Sequence, residues 1–209
     1  MSLLHTAFFY SSAYKTNQLP IEGIPEICFL GRSNSGKSSA INLITNKKKL
    51  AFSSKTPGRT RLINMFALKQ NINSDICGYL VDLPGYGYSN LPNSEQKNLE
   101  ITIINYIQNR KSIRGFILLL DIRRGITNLD RYLIDLIEPL NKNLIILLTK
   151  VDKLNREQFI KTKKDIEQNL SFIKNPFEVI SFSATKKIGI TETTTSIEKL
   201  ILNNKELIL

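Results

Sequence analysis

A chain of 209 residues with 42% hydrophobic content is long enough for one sizeable domain with a buried core, or for a domain with extensions. No apolar run approaches the roughly 20 residues that span a bilayer, the N-terminal Ala7-Phe8-Phe9-Tyr10 lacks the basic flank and length of an export signal, and a single histidine, His5, excludes His-based triads and multi-His metal sites. Lys and Arg total 29 against 18 acidic residues, and the net charge of +11 favours RNA, DNA or an anionic surface as partner, although lysines on solvated faces give the same sum.

Met1 to Pro25 show no helical period and end in the turn-rich Leu19-Pro20-Ile21-Glu22-Gly23-Ile24-Pro25, which reads as an N-terminal extension (1–25) with room for one edge strand, ahead of a domain over 26–209. Glu26 to Leu30 is the first clear strand, followed by a Gly/Ser loop and a helix from Lys37 to Thr45, which Lys47-Lys48-Lys49 close with charges that suit its dipole. Phe52 to Arg61 is polar and aperiodic and reads as a mobile loop. Leu62 to Leu68 and Ile76 to Val81 form a hairpin across the turn Gln70 to Asp75, and Ser94 to Arg110 is a helix with Ser94 as its N-cap. Strands over Gly115 to Asp121, Leu144 to Leu148 and Phe177 to Phe182 alternate with helices over Leu129 to Leu140, Arg156 to Leu170 and Thr193 to Leu202. Apolar runs this continuous predict a mostly parallel, six-stranded sheet of an α/β fold, covered on both faces. Cys28 and Cys77 fall in such strands and are expected to be reduced core thiols in a cytoplasmic protein.

The chemistry gathers at the carboxyl ends of the strands. Gly31-Arg32-Ser33-Asn34-Ser35-Gly36-Lys37-Ser38 matches G-x-x-x-x-G-K-[ST] between a strand and a helix: glycines let backbone N–H groups converge on phosphate oxygens, Lys37 reaches the β- and γ-phosphates, and the Ser38 hydroxyl suits Mg²⁺. Asp82-Leu83-Pro84-Gly85 fits the D-x-x-G that ends the neighbouring strand, its Asp holding Mg²⁺ and its Gly amide meeting the γ-phosphate. Thr149-Lys150-Val151-Asp152 selects the base, because one carboxylate accepts from both the N1–H and the exocyclic amine of guanine, whereas adenine offers an acceptor at N1. Ser183-Ala184, following Phe182, fits a guanine loop whose amide meets O6. Thr60 is the candidate second Mg²⁺ ligand, with Thr56 as competitor. Tyr86 stands where faster enzymes of this class place a Gln that orients water, so slow intrinsic hydrolysis is expected.

Together with Ser39, Lys55-Thr56-Pro57-Gly58-Arg59-Thr60, Tyr86-Gly87-Tyr88 and Leu148-Thr149-Lys150-Val151-Asp152-Lys153, these motifs resemble the EngB family of bacterial GTPases, over Ile24 to Lys187. The resemblance implies a Ras-like fold, Mg²⁺-dependent binding and hydrolysis of GTP to GDP, a role in assembly of the large ribosomal subunit, and a requirement for normal cell division and septation. The nucleotide contacts it implies are Gly31 to Ser38; Gly58, Arg59, Thr60, Arg61 and Leu62; Asp82, Leu83, Pro84 and Gly85; Thr149, Lys150, Val151 and Asp152; and Phe182, Ser183 and Ala184. Lys37, Thr60, Gly85 and Asn34 would carry hydrolysis, and Ser38, Thr60 and Asp82 the metal. The Asn34 amide either coordinates K⁺ between the phosphates, as in related K⁺-stimulated GTPases, or bonds the loop backbone. Asp121-Ile122-Arg123-Arg124-Gly125 and the Ser-Ala-Thr after Phe182 depart from the family pattern, the second blurring which amide meets the base. A monomer contacting large-subunit precursors and rRNA through Lys47 to Lys49, Arg123-Arg124 and Lys161 to Lys164 is expected; the competing reading is a GTP-gated scaffold at the division site.

Overall fold

The computed structural model describes residues 2–52, 62–71, 73–87 and 93–202. Five helices and a seven-stranded sheet alternate as β1 (Phe8–Ala13), β2 (Glu26–Gly31), α1 (Lys37–Ile44), β3 (Ile63–Lys69), β4 (Ile76–Asp82), α2 (Asn93–Asn109), β5 (Ile113–Asp121), α3 (Asn128–Ile137), β6 (Asn143–Thr149), α4 (Arg156–Asn169), β7 (Phe177–Ser181) and α5 (Ile190–Leu202). Strand order is β1-β3-β4-β2-β5-β6-β7. β2 pairs in parallel with β4 and β5, β6 follows β5, and β7 follows β6, while β3 runs antiparallel to both β4 and β1.

The expected count of six strands becomes seven because β1 pairs along β3, with a bulge at Tyr10 between Phe9 and Ser11. That bulge turns the Tyr10 ring onto Tyr79 at 5.3 Å while Phe9 meets Phe66 on the other side. Ser94 lies inside α2 and does not cap it, since the helix starts at Asn93; α5 begins three residues before the expected Thr193. Cys28 is buried in β2, but Cys77 is half-buried in β4. Expectations for Lys55 to Arg61, Tyr88 and 203–209 lie outside the described residues.

Two cores sit on the two faces of the sheet. One gathers Cys28, Leu30, Val81, Phe116, Leu118 and Ile146 under Ile103, Tyr106 and Ile107 of α2, Leu133 and Ile134 of α3 and Ile166 of α4. The other gathers Ile27, Phe29, Leu80, Ile117 and Leu147 under Ile41 and Ile44 of α1 and Ile197 and Ile201 of α5. Burying each such side chain contributes about 1.5–3 kcal/mol, so the continuous apolar strands are what hold helices on both sides. α5 approaches β4 at Gly78, where a Cβ would lie 2.8 Å from the Ile201 Cγ2.

At the end of the sheet remote from the motifs, Glu26 is 1% exposed and forms an ion pair with Arg110 at 2.7 Å. Tyr106 donates its hydroxyl to the same carboxylate, and Arg110 also donates to the Pro20 carbonyl at 2.8 Å. Glu22 accepts from the amides of Lys111 at 2.6 Å and Ser112 at 3.1 Å. The segment leading into β2 is thereby tied to the C-terminal end of α2.

Candidate functional site

β2 ends at Gly31, and the next residues turn so tightly that Asn34 has φ 63° and Gly36 φ 100°. The second value lies in the left-handed region that glycine enters without a steric penalty. α1 starts directly after Gly36, and the first amides of a helix lack partners within it. Among the described residues the amides of Asn34, Gly36, Lys37 and Ser38 meet no acceptor, whereas Ser35 N–H donates to the Arg32 carbonyl at 3.0 Å. Free N–H groups at a helix N-terminus make an anion site.

Beside this loop, Asp82 ends β4 and is 1% exposed; its carboxylate is paired with the Lys37 ammonium. The D-x-x-G segment then runs alongside the P-loop: the Leu83 amide donates to the Phe29 carbonyl at 3.2 Å, and the Ser33 amide to the Tyr86 carbonyl at 3.1 Å. Ser38 donates its hydroxyl to the Phe52 carbonyl at 3.2 Å. A buried carboxylate near a serine hydroxyl on the first helical turn is a hard-oxygen donor set, and Mg²⁺ is commonly held by one or two carboxylates plus substrate phosphates. Among the described residues no group of three or more His, Cys, Asp or Glu converges into a metal cage. The residues therefore fit a metal shared with a phosphate.

The third wall comes from the ends of β5, β6 and β7. Thr149 is 3% exposed and donates its hydroxyl to the Ser35 carbonyl at 2.7 Å and the Leu120 carbonyl at 3.1 Å. Lys150, in the left-handed region at φ 63°, donates to the Asn34 carbonyl at 2.7 Å and to the Asp121 carboxylate at 2.8 Å. Asp152 accepts the Ser183 hydroxyl at 2.6 Å and lies 3.5 Å from the Lys153 ammonium. The Ser183 bond, above all, lowers the pKa of Asp152 and keeps it a carboxylate. Ser183 N–H is taken by the Ile188 carbonyl at 3.1 Å, so of the two candidate amides Ala184 has the one with no acceptor among the described residues.

Gly31 to Ser38, Asp82 to Gly85, Thr149 to Asp152 and Phe182 to Ala184 thus meet at one end of the sheet. Leu62 lies just ahead of β3, while Gly58, Arg59, Thr60 and Arg61 fall outside the described residues. Asn34 is exposed; its carbonyl is used by Lys150, and its side-chain amide makes no hydrogen bond among the described residues. The three basic clusters lie on different elements. Arg123-Arg124 follows the end of β5 at the motif end, Lys47 to Lys49 follow α1, and Lys163 in α4 pairs with Glu167 at 3.6 Å.

Two further residues belong to the site. Asp121, at the end of β5, accepts from Lys150 and from Arg123 Nε at 2.9 Å and Nη2 at 2.6 Å. Burial alone would raise its pKa, but the Arg123 and Lys150 bonds outweigh that and hold the carboxyl well below the usual range. Asp130 caps α3 reciprocally with Thr127 and accepts the Tyr86 hydroxyl at 2.7 Å, so the Tyr86 ring is buried against α3. Burial, reinforced by the Asp130 charge, pushes the pKa of this phenol up. The T-x-x-D pattern of Thr127 and Asp130 was a visible capping box, whereas its bond to Tyr86 had no local signal.

A parallel α/β sheet whose strand ends bring together a P-loop, a D-x-x-G and a T-K-x-D defines a P-loop GTPase of Ras-like fold. The family model described as "50S ribosome-binding GTPase" matches residues 26–150, and that of the elongation factor Tu GTP-binding domain matches residues 103–203. The chain is 48% identical over 202 residues to the probable GTP-binding protein EngB of Bordetella pertussis, covering 96% of this chain and 97% of the relative. It is 40% identical over 205 residues to that of Paraburkholderia phytofirmans, covering 96% and 94%. A crystal structure of a probable GTP-binding protein EngB superposes with TM-score 0.62 at 28% identity, over 84% of this chain and 98% of that one. Aquifex aeolicus Era shares the fold, with TM-score 0.69 at 19% identity over 89% of this chain and 60% of that one. The chain belongs to the EngB family of GTP-binding proteins, and it is a GTP-hydrolysing enzyme.

Proposed function

We propose that this GTPase is a nucleotide-gated switch in assembly of the large ribosomal subunit, acting in the cytoplasm as a monomer and needed for normal division and septation. The observation that carries the switch is the joining of three motifs: Thr149 and Lys150 grip the P-loop carbonyls of Ser35 and Asn34, and Ser183 orients Asp152. Base recognition and phosphate binding are thereby parts of one rigid frame. The ribosomal reading draws on the family description, the net charge of +11, and the EngB relatives.

In this reading the free amides of Asn34, Gly36, Lys37 and Ser38 and the Lys37 ammonium bind phosphates, Asp152 accepts from guanine, and the Ala184 amide meets its O6. Ser38, Asp82 and Thr60 would hold Mg²⁺, which when bound neutralises charge on the transferred phosphoryl group. Lys37 leaves Asp82 for the phosphates as the nucleotide enters. Gly85 donates its amide at the γ-phosphate, and Gly58 to Leu62 supply the remaining nucleotide contacts. Tyr86, held by Asp130, takes no part in orienting water, so hydrolysis is slow until a partner or a cation at Asn34 supplies the missing charge.

The test is RNA crosslinking in cells of the chain held in its GTP state. Recovery of large-subunit rRNA is expected; enrichment of RNA unrelated to the ribosome, or of membrane fractions without RNA, would overturn the ribosomal role.

A further inference from the structure

A groove of about 770 Å³ lies between the N-terminal segment after β1 and the exposed face of α2, and none of the nucleotide-motif residues lines it. Its two walls differ in kind. The first is a fixed turn: the Gln18 side chain accepts from the amides of Tyr14 at 2.9 Å and Lys15 at 3.1 Å, and the chain beyond is tied down by Arg110 and Glu22. The second wall is the helix that follows the D-x-x-G segment, so it is the wall that a change at Gly85 reaches first.

The chemistry of the lining is that of a base-reading surface. Tyr14 is 65% exposed and offers a ring face. Asn17, Asn98 and Asn105 are exposed, and among the described residues their side-chain amides make no hydrogen bond, Asn98 and Asn105 using only their backbone carbonyls. Each amide carries both donors and acceptors, as every base edge does. Lys15 and Glu95 bring opposite formal charges to the lining, so its charge sums to zero. A peptide helix would need apolar anchors at helical spacing, and here the exposed large apolar side chain on α2 is Ile101 alone among the described residues. Single-stranded RNA is recognised through unstacked bases laid on aromatic rings and hydrogen-bonded along their edges. Phosphate attraction then comes from basic residues elsewhere on the chain.

We infer that the groove between Tyr14 and α2 binds unstacked bases of single-stranded RNA. This rests on the ribosomal reading for the identity of the RNA, but not for the chemistry of the groove. The experiment titrates the full chain, bound to a non-hydrolysable GTP analogue, with RNA fragments extracted from large subunits, from low to moderate salt. Tyr14→Ala and Asn98→Ala should each weaken binding, Tyr14→Ala about tenfold or more, with the slope of log affinity against log salt unchanged, since no phosphate contact is lost. Wild-type affinity in both variants would overturn the inference, as would a loss that comes with a shallower slope. Thermal melting of each variant checks its fold. Sedimentation of wild type with intact large-subunit particles is run in parallel: its failure, with RNA loss in the variants intact, removes the ribosomal reading and leaves the groove. Crosslinking of Lys15 to a ribosomal protein, with RNA affinity unaltered in the variants, assigns the groove to a protein and overturns the inference.

Discussion

Asp152→Asn probes the base site, and the structure says which way the new amide will face. Ser183 donates its hydroxyl to Asp152 Oδ1 at 2.6 Å, and in the variant it still needs an acceptor, so it selects the amide oxygen and turns the NH₂ toward the base. Guanine then keeps the amide oxygen for one donor and turns its other donor on the NH₂. The lost hydrogen bond to a charged acceptor is worth about 1.5–3 kcal/mol, or a Kd raised by about 10 to 10². Xanthosine triphosphate, with an acceptor in place of the amine, should gain. Calorimetry with both nucleotides measures the exchange. Adding Ser183→Ala frees the amide to rotate and should shrink the xanthosine gain. Unchanged GTP affinity in Asp152→Asn, or a xanthosine gain indifferent to Ser183, would refute this placement of the base.

Tyr86→Phe should destabilise the fold by about 1.5–3 kcal/mol, since it removes a donor from the buried Asp130 carboxylate, while leaving GTP turnover at saturating substrate unchanged; a matching fall in kcat would mean that the phenol orients water after all. Asn34→Gly keeps the left-handed backbone that Ala would strain, and it should abolish any excess of turnover in KCl over NaCl at matched ionic strength; equal wild-type rates in both salts remove the cation mechanism. Glu26→Gln leaves Arg110 buried without its counter-charge and should cost about 3–5 kcal/mol of stability in denaturant melts. Asp121 has its folded pKa lowered, so its contribution is present above its unfolded value of about 4 and lost as pH falls below it. Asp121→Asn should therefore be less stable than wild type near neutrality, and the gap should narrow progressively below about pH 4; a constant gap would contradict the assignment.

The site was legible where chemistry is local in sequence. Gly31 to Ser38 needs its residues contiguous because one loop must wrap one phosphate chain, and Asp82 and Thr149 each close a strand whose apolar run announces it. Strand boundaries followed for the same reason, since Ile117 or Leu147 can only be buried on a covered sheet. What escaped were partners distant in the chain. Tyr86 and Asp130 meet across the gap between β4 and α3, and neither residue type signals the other. Asp121 reads as an ordinary strand-end acid until Lys150 arrives from the end of β6. The edge strand allowed for in residues 1–25 could not be placed, because Phe8, Phe9 and Tyr10 are only partly covered, each more than a third exposed, so no alternation of buried and solvated residues marks them as β1.

The most direct measurement of the central claim is sedimentation of the purified chain with large-subunit precursor particles in three states: nucleotide-free, with GDP, and with a non-hydrolysable GTP analogue. A gate built from one rigid frame predicts retention with the analogue and release with GDP, and loss of retention in Asp152→Asn unless xanthosine triphosphate analogue is supplied. Equal retention in all three states would show that the nucleotide does not control the partner.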